Sequence, residues 1–93
     1  METAKEVGHI YGLARELMET REKDYEGSWR DEGLVCMVAS SYKKASQIKV
    51  MVENGRWKEN TPRVKEDLLD MMNYGALAYR LVELMEKMNK GGS

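Results

Sequence analysis

Cysteine is nearly absent from this chain of 93 residues. Cys36 stands alone, so no disulfide can close within the chain. A domain of this size buries only about 60% of the surface its unfolded chain exposes. Its stability must therefore come from well-packed helices or from other subunits. The unpaired thiol fits a reducing, cytoplasmic setting. An excess of one charge is missing too. Fifteen Lys and Arg face 16 Asp and Glu, for a net charge of -1. That argues against a duplex nucleic-acid module, which carries a basic stripe. No apolar run approaches the roughly 20 residues of a membrane span, and the opening METAKEV holds no signal-peptide core. His9 is the only histidine, so a histidine-based metal cluster cannot be assembled within one chain. No Gly-rich phosphate loop and no nucleophile elbow is present. Cys36 has no base near it in sequence and reads as a packed helix residue. Composition gives a soluble, oligomeric domain and no activity.

What is present points to helices. One proline, few β-branched runs and many Met, Leu, Ala, Glu and Lys predict an all-α chain of three helices. Residues 1–90 form one helical domain, and Gly91-Gly92-Ser93 reads as a frayed tail or an appended linker. The first helix is expected from Thr3 to Asp24. Thr3-Ala4-Lys5-Glu6 has the pattern of a capping box, and Gly27 stands where a C-terminal glycine belongs. Val7, Ile10, Tyr11, Ala14, Leu17 and Met18 make its apolar stripe. Gly8 and Gly12, four apart, either admit a close helix or are merely tolerated. A polar connection from Tyr25 to Gly33 carries Trp29, read as an anchor on the core or a stacking ring.

The second helix is expected from Asp31 to Glu53, ending at Asn54-Gly55. Leu34, Val38, Ser41, Ala45, Ile48 and Val52 lie along one face. Trp57, in the next connection, reads as a second anchor. The third helix begins at Thr61-Pro62 and continues to Met88 or Asn89. Val64, Leu68, Met71, Gly75, Ala78, Val82 and Met85 make one stripe on it. Tyr74, Leu77, Leu81, Leu84 and Met88 make a second beside the first. A helix apolar over most of its circumference is buried on several sides. Two shorter helices cannot supply that cover, so a helical-bundle homo-oligomer is expected.

The second stripe, followed toward the N-terminus, runs into Asp70 and Asp67, with Glu66 beside them. Carboxylates on an inward face must be paired, hydrogen-bonded or placed on a metal. Asp67, Asp70 and Glu66 offer hard oxygen ligands that suit Mg²⁺. Alternatively, they sit at a helix start that favours acidic residues through its dipole. On the second helix, Ser41 lies in the apolar stripe and Lys44 at its border. Lys44 either snorkels to solvent, pairs with Asp67 or Asp70, or meets a phosphate. Ser40, Ser41, Lys43, Lys44 and Gln47 form a donor-rich patch suited to a phosphate or a nucleobase edge.

The segment from Lys23 to Leu84 resembles the small helical nucleotide-modification-associated domain of phage and bacterial proteins, which is similar in general character to the MazG-like all-α nucleotide pyrophosphatases. The residues that carry the resemblance are Lys23-Asp24-Tyr25 with Trp29, Tyr42-Lys43-Lys44-Ala45-Ser46-Gln47-Ile48, and Glu66-Asp67-Leu68-Leu69-Asp70-Met71-Met72-Asn73-Tyr74. There are two departures. The arginine of the family's first element falls at Gln47. The Glu-x-x-Glu pair of the MazG-type enzymes is missing from the second helix, where Ser40, Ser41, Lys43 and Lys44 stand instead. Half the acidic set of a two-metal site is thus lacking.

Three functions follow from residues and resemblance together. The first is binding of a nucleotide, a nucleotide-derived signal or another phosphorylated small molecule, without catalysis and without a cofactor. Lys44 and Lys43 would meet phosphate, Ser41 and Gln47 would donate to a phosphate or a base edge, and Asp67, Asp70 or Asn73 would bond the base or ribose. Tyr42, Tyr74 or Trp29 would stack. In the phage setting that the resemblance implies, such a protein would sequester a defence nucleotide in the cytoplasm of its bacterial host. The second is a Mg²⁺-dependent MazG-like nucleotide phosphohydrolase, with the metal on Asp67, Asp70 and Glu66. The third is a structural oligomerisation module whose only partner is itself.

Overall fold

The structure, a computed structural model, describes residues 2–22 and 27–92. Among them the fold is all-helical and contains no strand. Helix α1 spans Glu2–Thr20, α2 Ser28–Glu53 and α3 Thr61–Gly92; a 3-10 turn over Arg56–Glu59 joins the last two. No described helix is long and apolar enough to cross a membrane. The 32 residues of α3 give about 48 Å of helix at 1.5 Å per residue, which sets the long axis of a 52 × 30 × 25 Å molecule. Helices α2 and α3 run antiparallel as a hairpin. Helix α1 lies antiparallel along another side of α3, with Ala14 opposite Asn73.

The core follows one seam of α3. Val64, Asp67, Asp70, Asn73, Leu77 and Leu81 are all buried, three or four residues apart. Ala14, Met37 and Ile48 complete the buried set from the other two helices. At its apolar end Met37, Leu77 and Leu81 pack together, with Trp29, Leu34 and Tyr74 around them. The other expected stripe of α3 is uncovered at its far end, where Val82 is 42% exposed and Met85 50%, and Met88, at the end of the buried stripe, is 74% exposed.

Several boundaries differ from the sequence-based expectation. Thr3 lies inside α1, whose first described residue is Glu2, so it does not cap from outside. The expected end of that helix at Asp24 falls outside the described residues, as does the whole Lys23-Asp24-Tyr25 element. Gly27 is left-handed (φ 78°), but it stands at the start of α2 instead of closing α1. Trp29 belongs to the first turn of α2, not to a loop. That turn is set off from residues 34–53 by Gly33, at φ 86° and ψ 175°, a conformation essentially confined to glycine. Asn54 and left-handed Gly55 end α2 as expected. Trp57 sits on the 3-10 turn, 37% exposed, and does not reach the core. The cap of α3 is one residue earlier than expected. The Asn60 carbonyl accepts the Val64 N–H at 3.0 Å, and the helix continues through Gly92. Among the described residues, no other segment comes within 4 Å of a Cβ placed on Gly8 or Gly12, so no described helix crosses there.

A buried charge cluster beside a basic cleft

Asp67 and Asp70 share the seam with Leu77 and Leu81, and the packing that buries those leucines carries both carboxylates inward. Asp70 is 2% exposed and Asp67 7%. Such burial costs several kcal/mol per ion unless cations repay it. Two do. From α2, Lys44 Nζ lies 3.2 Å from Asp67 Oδ1 and 3.4 Å from Asp70 Oδ2. From just beyond α1, Arg21 Nη1 donates to Asp70 Oδ1 at 2.5 Å, and Nη2 pairs with Glu66 Oε1. Partial burial presses the Lys44 pKa downward. The hydrogen bond and charge of Asp67, with Asp70 behind it, outweigh that and hold the ammonium above its ordinary value. Among the described residues, no group of three or more His, Cys, Asp or Glu side chains is gathered as a metal site.

Two further bonds complete the cluster. Asn73 Nδ2 donates to the Ala14 carbonyl at 2.9 Å, and Ser41 Oγ donates to the Met71 carbonyl at 3.4 Å. Every buried side-chain nitrogen and oxygen among the described residues has a partner, as a polar interior requires.

Lys44 is also part of the wall of a cleft. Ser40, Lys43, Lys44, Gln47, Arg63 and Tyr74 enclose about 290 Å³, with three cations and no carboxylate in the lining. Lys43, Lys44, Gln47 and Tyr74 were expected to act together, and they share this cleft. Trp29 lies in an adjoining recess of about 180 Å³, which Tyr74 also lines. Five other candidates lie elsewhere. Tyr42 projects outward, 74% exposed. Ser41 and Asn73 are spent on backbone carbonyls of α3 and α1. Asp67 and Asp70 lie beneath the cleft, where they hold Lys44 in place.

Two contributors went unread in the sequence. Arg63 comes from the first turn of α3. Arg21 comes from the polar stretch after α1, which has no periodicity to flag it. Charge arithmetic points to it: three acidic groups on one turn and a single lysine leave a negative excess that needs a second cation.

The fold and cluster together define a small all-α bundle with an ion-paired interior and a cationic cleft at its surface. No family model, no curated protein and no solved structure matches the chain.

Proposed function

We propose that this chain binds a nucleotide, or another phosphorylated small molecule, in the Lys43–Arg63 cleft, without catalysing its turnover. The observation that carries this reading is the cleft lining: three cations, an amide, a hydroxyl and an aromatic ring, with no acidic group among them. Phosphate oxygens are acceptors only, and the lining is rich in donors. Absence of turnover is supported by the state of the acidic residues. Asp67, Asp70 and Glu66 already bind Lys44 and Arg21, and their use as metal ligands would strand two cations. The resemblance to the nucleotide-modification-associated domain supports nucleotide chemistry, and with it a phage protein that sequesters a defence nucleotide in a bacterial cytoplasm. Thermal shift across a nucleotide panel, with and without Mg²⁺, tests the reading. A ligand at 100 times its Kd raises stability by about 2.7 kcal/mol. Binding that survives EDTA and disappears in Lys43→Ala/Arg63→Ala is expected. Mg²⁺-dependent multiple turnover, lost in Asp70→Asn, would refute it in favour of a MazG-like hydrolase.

The same proposal includes self-association. A monomer of 10.7 kDa is expected to expose about 5,500 Å², whereas this chain exposes 7411 Å². The excess, about 1,900 Å², is what one partner contributes to a large obligate interface. An open groove of about 830 Å³ between the start of α2 and the end of α3 is lined by Leu34, Val35, Leu81, Leu84, Met85 and Met88. A second copy offers the matching apolar surface. Sedimentation showing a stable folded monomer would defeat this part.

A further inference from the structure

The basic cleft has a neighbour of different chemistry. Ser40 and Tyr74 line both spaces, so they form a shared wall. Beyond that wall the recess of about 180 Å³ contains no cation. It is built from Trp29, Tyr74, Met37, Leu77, Ser28 and Glu32. The bend at Gly33 makes it possible, because residues 28–32 turn away from the axis of α2 and carry Trp29 and Glu32 to this position. Its floor is the apolar core, with Met37 2% and Leu77 8% exposed. Two aromatic rings stand in its walls, and Arg30 sits 4.9 Å from the Trp29 ring centroid. A phosphate would gain nothing here, where the one charged group is a carboxylate. A flat ring would gain stacking and apolar contact.

We propose that the two spaces together form a guanine-nucleotide site, with the base between Trp29 and Tyr74, its edge on Glu32 and its phosphate on Lys43 and Arg63. The proposal rests on the phosphate-binding reading and adds the identity of the base. Glu32 selects it. A carboxylate only accepts hydrogen bonds, so it complements an edge with adjacent donors. Guanine presents a ring N–H beside an exocyclic amine. Adenine and cytosine place their amine beside a ring nitrogen whose lone pair faces the carboxylate. Uracil and thymine flank one N–H with two carbonyls. The contact Glu32 already has is weak. The Cys36 thiol donates to Oε2 at 3.7 Å, and a nucleobase N–H displaces such a donor readily. A recess of about 180 Å³ takes one base.

Calorimetry on the full chain with GMP, IMP, AMP and ribose 5-phosphate tests the assignment. GMP should bind at least tenfold tighter than AMP. IMP, which lacks the exocyclic amine, should fall between them. In Glu32→Gln, GMP affinity should drop at least tenfold toward that of ribose 5-phosphate, and the gap between GMP and AMP should close. Circular dichroism confirms folding of this variant, whose substituted side chain is exposed. In a Trp57→Phe background, GMP should also quench the fluorescence of Trp29. Equal affinity for GMP and AMP, unaltered by Glu32→Gln, overturns the guanine assignment and leaves the phosphate cleft standing. If no phosphorylated ligand binds, or if Lys43→Ala/Arg63→Ala weakens none of them, the cleft reading and the guanine assignment both fail.

Discussion

Arg21 and Lys44 divide one carboxylate between them. Arg21 takes Oδ1 of Asp70 and Lys44 takes Oδ2, so two cations from different parts of the chain meet at a group that is 2% exposed. The joint holds α1, α2 and α3 to a common point, and substitutions there should report on how each helix is held.

Asp70→Asn should be the most damaging single polar change. It removes the negative charge from two charge-assisted bonds and leaves both cations with less compensation. Breaking a buried pair costs about 3–5 kcal/mol. The Arg21 and Lys44 side chains are 32% and 28% exposed, so solvent recovers part of that and about 2–3 kcal/mol is expected. Urea denaturation of the variant against the parent measures it. A loss under 0.5 kcal/mol would show that the cluster does not hold the fold.

Arg21→Ala should loosen one helix and spare the other two. Helix α1 packs chiefly on α3, and its polar ties among the described residues include Arg21 and the Asn73–Ala14 bond. Hydrogen exchange should quicken across residues 2–20 while the α2–α3 hairpin stays protected. Uniform acceleration in all three helices would contradict this.

Lys44 sets an alkaline limit. Its pKa in the folded chain lies above the ordinary 10.5. The stability it contributes is therefore complete below about pH 10.5 and is lost as pH rises through the folded value. Melting temperatures at about pH 9 and pH 11 should differ more in the parent than in Lys44→Met/Asp67→Asn, which lacks the pair. Equal alkaline losses would remove Lys44 as the cause.

The glycines divide into two kinds. Gly33→Ala should destabilise by about 1–3 kcal/mol, since φ 86° and ψ 175° are strained for any other residue even where space is open. Gly8→Ala and Gly12→Ala lie mid-helix with nothing within 4 Å. Each should stabilise by about 0.5–1 kcal/mol. Thermal melts of the three variants separate the two cases.

Leu81→Glu and Val82→Glu, adjacent in sequence, should fail differently. Leu81 is 7% exposed within the single chain, and a charge there unfolds it. Val82 is 42% exposed, so in the proposed assembly a charge there should split the copies and leave a helical protomer. Circular dichroism with sedimentation tells these outcomes apart.

The seam of α3 was legible in the sequence because helical spacing carries Asp67 and Asp70 onto the face of Leu77 and Leu81. Lys44 was legible as a partner for the same reason on α2. Gly33 was not. A glycine near a helix start has no periodic signature, and only the backbone angles reveal that it separates Trp29 from the rest of α2. Arg21 was hidden by topology, since its reach to Asp70 depends on which side of α3 receives α1. The cleft was half legible. Lys43, Lys44 and Gln47 share a helix, whereas Arg63 joins them only because α2 and α3 pair antiparallel.

The ties of α1 span long stretches of chain: Arg21 meets Asp70 across 49 positions and Asn73 meets Ala14 across 59. Helices α2 and α3 need only a short turn to meet. Closing a long loop costs more entropy than closing a short one, and local hairpins form ahead of distant contacts. We expect the hairpin to assemble first, with Lys44 already on Asp70 when Arg21 arrives, an order that pulse-labelling hydrogen exchange reads directly. During synthesis, the first of these three helices to leave the ribosome would then wait the longest for its berth, because the surface that receives it is still being made.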